Sequence, residues 1–234
     1  MDLDVEHRPS PSPFVTRVWR SRSEREVTEM TAVAYVRWDL VFWEDDGAVH
    51  VCVVGPEAKA RRAPIPPGAQ VSFGINFEFG TVLPALAASR RIDGQFDLPD
   101  VCGRRFHLAG SSWTVPTYEN AEAFVERLVR EEVIVRDRLV ADVHRGASND
   151  GSPRTVQRRF LAATGLTRTA ARQIDRARNA AILIQEGTPP RDVIEELGYY
   201  DQAHLGRSLR HYIGRTPTQL RLGTPTPLSL LYKT

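Results

Sequence analysis

The sequence predicts an α+β protein: a β-rich N-terminal domain, cupin-like or a small barrel, then an all-α domain with two helix-turn-helix units. Three observations carry this. From Phe14 to about Val115, short apolar runs are broken by Gly and Pro, the rhythm of short strands and turns. After Tyr118, apolar residues recur at steps of three and four, the helical period. Charge divides the chain as well. Residues 1–149 carry 18 Lys+Arg against 22 Asp+Glu, net −4, and residues 150–234 carry 13 against 7, net +6.

Residues 1–13 are polar, with Pro9, Pro11 and Pro13 alternating with serines, and read as a flexible lead-in. A β-rich domain is expected over 14–118. Its candidate strands are Thr31–Tyr35, Trp38–Trp43, Val49–Val54, Gln70–Phe77 and Phe106–Leu108. Glu44-Asp45-Asp46-Gly47 is a hairpin signal, and Gly55-Pro56 and Pro64–Gly68 close off other runs. Ala121, Phe124, Val125, Leu128 and Val129 mark an amphipathic helix within a linker at 119–137, packed on its own domain or on a second subunit.

The helical part is expected over 138–223, with a tail at 224–234 marked as extended by Pro225 and Pro227. Gly146–Gly151 reads as a turn. Ser152-Pro153 is an N-cap and first-turn pair opening a helix that buries Val156, Phe160 and Ala163 and ends at Gly165. A longer helix follows, with Ala170, Ile174, Ala177, Ala181 and Ile184 in one stripe and Gly187 as its stop. Thr188-Pro189 starts the next, which buries Val193, Ile194 and Leu197 before Gly198. Asp201 caps a last helix in which Leu205, Leu209 and Tyr212 share one sector, while Arg207, Arg210 and His211 lie opposite.

A short helix with an apolar back and an arginine front suits a DNA major groove, where Arg and Gln make bidentate contacts to guanine and adenine. The Ser152 helix repeats this pattern, with Arg154 and Arg158 outward together and Gln157 beside them. Arg154, Gln157 and Arg158 are therefore expected to read one groove, and Gln202, His204 and Arg207 the next. Arg159, Arg210 and Thr216 are expected at phosphates. The connecting helix of about 17 residues spans roughly 25 Å. Such a spacer can set two reading helices one DNA turn apart, near ~34 Å.

Other chemistry finds little purchase. Cys52 and Cys102 form no CxxC, which points to a reduced cytoplasmic setting and away from structural zinc. His50 and His107 do not form the clustered ligand pair of a metal site. Neither a nucleophile triad nor a phosphate-cradling glycine loop is present, so neither enzymatic activity nor a cofactor is expected. No apolar run reaches the ~18 residues of a membrane span. The aromatic set containing Trp38, Phe42, Trp43, Phe73, Phe77 and Phe79 reads as core, with Trp38, Phe42, Phe73 and Phe77 as candidates for lining an effector pocket.

At these residues the chain resembles the AraC/XylS-type bacterial transcription regulators. The resemblance rests on Ser152-x-Arg154-Thr155-x-Gln157-Arg158-x-Phe160, Thr164-Gly165, Gly198-Tyr199-x-Asp201-Gln202-x-His204 with Arg207, and Gly214-x-Thr216-Pro217. It covers about Ser152 to Arg221. It implies a seven-helix, double helix-turn-helix DNA-binding domain behind a sensory or dimerisation domain. The N-terminal part resembles one subgroup through Arg17-Val18-Trp19-Arg20-Ser21, Ser72-Phe73-Gly74-Ile75 and Trp113-x-x-Pro116-x-Tyr118-Glu119-Asn120. The implied partner is double-stranded DNA, with a small-molecule effector, RNA polymerase and a second copy of the chain as further candidates and no membrane. The connection after the candidate helix Arg138–Arg145 is longer than usual for the family, which predicts a looser first unit. The alternatives are a small-molecule- or partner-binding protein whose helical domain no longer recognises an operator, and an enzyme with a regulatory appendage.

Overall fold

The computed structural model describes residues 4–22, 28–65, 71–99, 103–147, 152–224 and 226–229. In chain order the elements are β1 (Asp4–Pro9), β2 (Val15–Arg22), β3 (Glu29–Ala32), β4 (Asp39–Asp45), β5 (Ala48–Val54), β6 (Arg61–Pro64), β7 (Val71–Phe77), β8 (Thr81–Val82), α1 (Ala88–Arg91), β9 (Gln95–Asp97), β10 (Arg105–Leu108), β11 (Ser111–Thr114), α2 (Ala121–Arg130) and β12 (Val135–Arg136). The helical part follows as α3 (Arg138–His144), α4 (Pro153–Thr164), α5 (Arg168–Gln185), α6 (Pro190–Leu197), α7 (Gln202–Tyr212) and α8 (Pro217–Leu222). Cys102, the start of the strand expected from Gln70, the end of the Pro64–Gly68 turn and most of Gly146–Gly151 lie outside the described residues.

Six strands form one antiparallel sheet in the order β1-β2-β7-β4-β5-β9. It does not close, so the small-barrel expectation gives way to an open sheet accompanied by two-stranded ribbons, β3 with β6 among them. The lead-in expectation is also corrected. Asp4–Pro9 is an edge strand paired with β2 from Asp4↔Arg22 to Pro9↔Arg17. Its proline sits at the strand end, where a missing N–H costs no ladder bond. Arg8 ties it down through both Glu122 carboxylate oxygens, at 2.5 and 2.8 Å, and the Tyr118 carbonyl at 2.7 Å. The β4–β5 hairpin turns on Asp46 and Gly47, both with positive φ (47° and 78°). That geometry matches the twist of the flanking strands.

Alternation splits the sheet into two unlike faces. Val18, Leu40, Phe42, Val51, Val53, Ile75 and Phe77 fill one core with Phe106 and Trp113 from the β10–β11 hairpin. α2 closes that core with Ala121, Phe124, Val125 and Leu128, so the linker helix packs on the sheet of its own chain. The other face carries Arg17, Trp19, Asp39, Val41, Trp43, Cys52 and Asn76. On it the Trp19 indole lies against Gly74, where a Cβ would come within 2.4 Å of the ring atoms. Gly74→Ala is expected to cost about 1–3 kcal/mol by overpacking and to alter Trp19 fluorescence. An unchanged melting temperature and emission spectrum would contradict that packing.

Asp39 accepts hydrogen bonds from the Asn76 amide and from Trp19 Nε1 at 3.4 Å. Desolvation raises its carboxyl to about 6, against the pull of those two donors and of Arg178 and Arg17. The folded protein thus holds this proton more tightly than the unfolded chain, where aspartate titrates near ~3.9. Its contribution is complete below the unfolded value and is lost as pH rises through about 6. Urea unfolding of the wild type should lose on the order of 2 kcal/mol more than Asp39→Asn between pH 4 and pH 7.5. Parallel stability curves would exclude this assignment.

The helical part is not a free appendage. One cluster joins Val140, Val143, Val156, Phe160 and Ile174 to Ala34, Val36 and Phe79 from the β-rich part. Phe79 stacks on His144 at 3.7 Å and leans on Phe160 at 5.5 Å. Backbone bonds reinforce the seam, with Ala34 N donating to Tyr212 O at 2.7 Å and Ala60 N to His211 O at 2.9 Å. Buried Arg178 of α5 donates to the Ala34 carbonyl at 3.1 Å and lies over the Tyr35 ring. Val33 sits in a further cluster with Ala177, Ala181, Leu205 and Leu209. The chain segment between β3 and β4 therefore serves both halves of the molecule.

Candidate nucleic-acid interface

The second helix-turn-helix unit is α6, a turn and α7. Gly198 ends α6 in the left-handed conformation (φ 67°, ψ 38°), which reverses the chain without a Cβ penalty. Asp201 then caps α7, its side chain accepting from His204 N at 2.6 Å. α7 buries Leu205, Ser208 and Leu209 against α5, whose Ala177, Ala180 and Ala181 allow close approach. Gln202, Arg207 and Arg210 consequently face outward and are exposed. They line a surface depression of about 550 Å³ together with Thr216 and Arg221.

Thr216 N-caps α8 by accepting from Gln219 N at 3.2 Å, and Gln219 Oε1 in turn accepts from Thr216 N at 2.9 Å. This capping box fixes the first turn of α8 beside α7. Pro217 therefore starts a helix that the residue-by-residue sequence reading does not name. Arg221 joins the depression from α8 and was missed for that reason. His204 is half-buried and is used internally. Its Nδ1 accepts from Tyr200 N at 3.3 Å, and its ring meets Tyr199 edge-on at 5.2 Å. Tyr200, in the turn, is 88 % exposed.

The first unit is α3 and α4. Ser152 accepts from Thr155 N at 3.3 Å, with Pro153 at the first helical position and Gly165 as the left-handed end. Val156, Phe160 and Thr164 are buried, and Ala163 half-buried. Arg154, Gln157 and Arg158 are exposed on the opposite side. Arg159 is half-exposed and bound: its Nε donates to Asp137 Oδ2 at 2.7 Å, while Asp137 Oδ1 caps α3 by accepting from Val140 N at 3.1 Å. That bond fastens α4 to the start of α3.

The connector between the units is α5, whose 18 residues span about 27 Å at the helical rise. Its buried face is wider than the expected stripe and includes Ala171, Ala180 and Ile182, with Ala170 only half-buried. Of the four aromatic residues expected at an effector pocket, Trp38 and Phe77 stack on each other at 3.9 Å within the core. Phe42 and Phe73 stack at 4.7 Å and reach an open groove of about 500 Å³ beside Tyr118 and Arg20.

Among the described residues, no three His, Cys, Asp or Glu side chains come together as metal ligands, and no helix is long and apolar enough to cross a membrane. A family model described as a helix-turn-helix domain matches residues 150–223. No curated protein and no solved structure matches the chain. With two capped helix pairs, outward arginines and that match in hand, residues 150–223 are a helix-turn-helix domain of the AraC type, which supports a DNA-binding transcription regulator.

Proposed function

We propose that this regulator is sequence-specific and that one polypeptide engages two successive major grooves. The carrying observation is the shared layout of α4 and α7: each buries an apolar face within the chain and leaves arginines exposed opposite it. In this reading Arg154, Gln157 and Arg158 contact bases from α4, and Gln202 and Arg207 from α7. Arg210, Arg221 and Tyr200 contact phosphates. His204 and Arg159 act differently from the residues around them. His204 holds the turn in place, and Arg159 fixes α4 to α3. Thr216 orients α8 at the edge of the interface.

The β-rich part is proposed as a non-enzymatic effector-sensing element in a cytoplasmic protein. Its support is the seam itself, where Ala34, Val36 and Phe79 share a core with α4 and α5. A change in that seam alters the footing of both reading helices. The test is selection of fragmented genomic DNA by the purified protein, followed by sequencing of what is retained. Recovery of a recurrent bipartite sequence is the expected result. Uniform recovery of all fragments would contradict sequence-specific function.

A further inference from the structure

Behind the second face of the sheet lies a cavity of about 460 Å³ that the regulator reading leaves unassigned. Trp19, Asp39, Val41 and Trp43 form its sheet wall, while Tyr35 and Arg178 of α5 face them. The volume falls in the ordinary range for small-molecule sites. Trp38, Phe42, Phe73 and Phe77 do not line it, because alternation turns them into the opposite core.

Its charges decide what it takes. Four carboxylates line it, Asp39, Glu57, Asp93 and Asp97, against the three guanidinium groups of Arg37, Arg61 and Arg178. Each guanidinium group has a partner, Arg61 with Glu57 at 2.7 and 3.0 Å, Arg37 with Glu78 at 3.5 Å and Arg178 with the Ala34 carbonyl, although the buried Arg37 Nε has no hydrogen-bond partner among the described residues. Asp39 accepts hydrogen bonds from two neutral donors, the Asn76 amide and the Trp19 indole, while the Arg178 and Arg17 guanidinium groups act on it electrostatically. A desolvated carboxylate is best satisfied by a cation in contact with it. Trp19 and Trp43 lie on the same sheet face as Asp39, two residue types whose ring faces attract cations.

We propose that this cavity binds a compact organic cation, an amine on an apolar or aromatic body, with its ammonium on Asp39 and its body against the Trp19 and Trp43 side chains that line the sheet wall. The proposal rests on the effector reading above and gives that effector a chemical class and a place. Arg178 extends from the connector helix into the cavity wall, so occupancy bears on α5 and, by reciprocity, on operator affinity.

The test uses the full chain and three probes with one common body: 2-phenylethylamine, 2-phenylethanol and phenylacetate. Calorimetric titration should show the amine binding with Kd below about 1 mM, at least about tenfold tighter than the alcohol, with phenylacetate weaker still. Asp39→Asn should lose about tenfold or more for the amine and little for the alcohol. Val41→Phe, which narrows the cavity while leaving the Asp39 carboxylate in place, should weaken both, and thermal melting checks that each variant is folded. Absence of amine binding at 10 mM, equal amine affinity in Asp39→Asn, or a preference for phenylacetate would each overturn the site. Operator affinity is measured separately with and without the amine. Binding that leaves operator affinity unchanged would sustain the site and remove the effector role.

Discussion

Replacing Arg207 by alanine is expected to weaken operator binding by about 1–3 kcal/mol and to relax discrimination at one base position. Arg207 is exposed on α7, opposite the Leu205–Leu209 face, so truncation removes a groove contact without opening the core. Arg210→Ala is the internal control. Its loss should be similar for all sequences and should lower the salt dependence by about one phosphate contact. The two are separated by titrating operator and single-base variants at several salt concentrations. Equal, sequence-independent losses for both would show that α7 grips the backbone and does not read bases.

The second large effect comes from a residue remote in sequence from the DNA-binding helices. Phe79→Ala should destabilise the protein by about 3–5 kcal/mol, the cost of emptying a large aromatic site. Phe79 is buried against His144 of α3 and Phe160 of α4, so the vacated space opens under the first helix-turn-helix unit. Because the cluster draws on both parts of the chain, unfolding followed at sheet tryptophans and by helical circular dichroism should shift together. If the helical signal kept its wild-type midpoint while the tryptophan signal moved, the shared core would not exist as described.

The helical part was largely legible because its signals are local. Ser152-Pro153, Gly165, Gly198 and Asp201 each cap or end a helix through contacts within a few residues, so sequence spacing alone located them. The β-rich part depends on pairings far apart in sequence. β1 hid behind its polar composition, since an edge strand needs no apolar alternation. The aromatic residues were recognised as buried, yet nothing local indicated which sheet face held a cavity. Arg178 did carry a signal that went unread. It stands four residues after Ile174 and three before Ala181, on the buried stripe, where a charge marks either a functional site or a seam between parts. Arg159 matches a DNA-contacting pattern, yet the Asp137 carboxylate that binds it lies 22 residues earlier in the sequence, whereas the bond to His204 comes from Tyr200, four residues back.

The central claim is that two arginine-bearing helices on one chain dock side by side on one face of the duplex. Hydroxyl-radical footprinting of the selected operator tests this most directly. Two protected tracts centred about 10.5 base pairs apart, with the first lost in Arg154→Ala/Arg158→Ala and the second in Arg207→Ala, are the predicted result. A single protected tract, unchanged by the α4 substitutions, would contradict it.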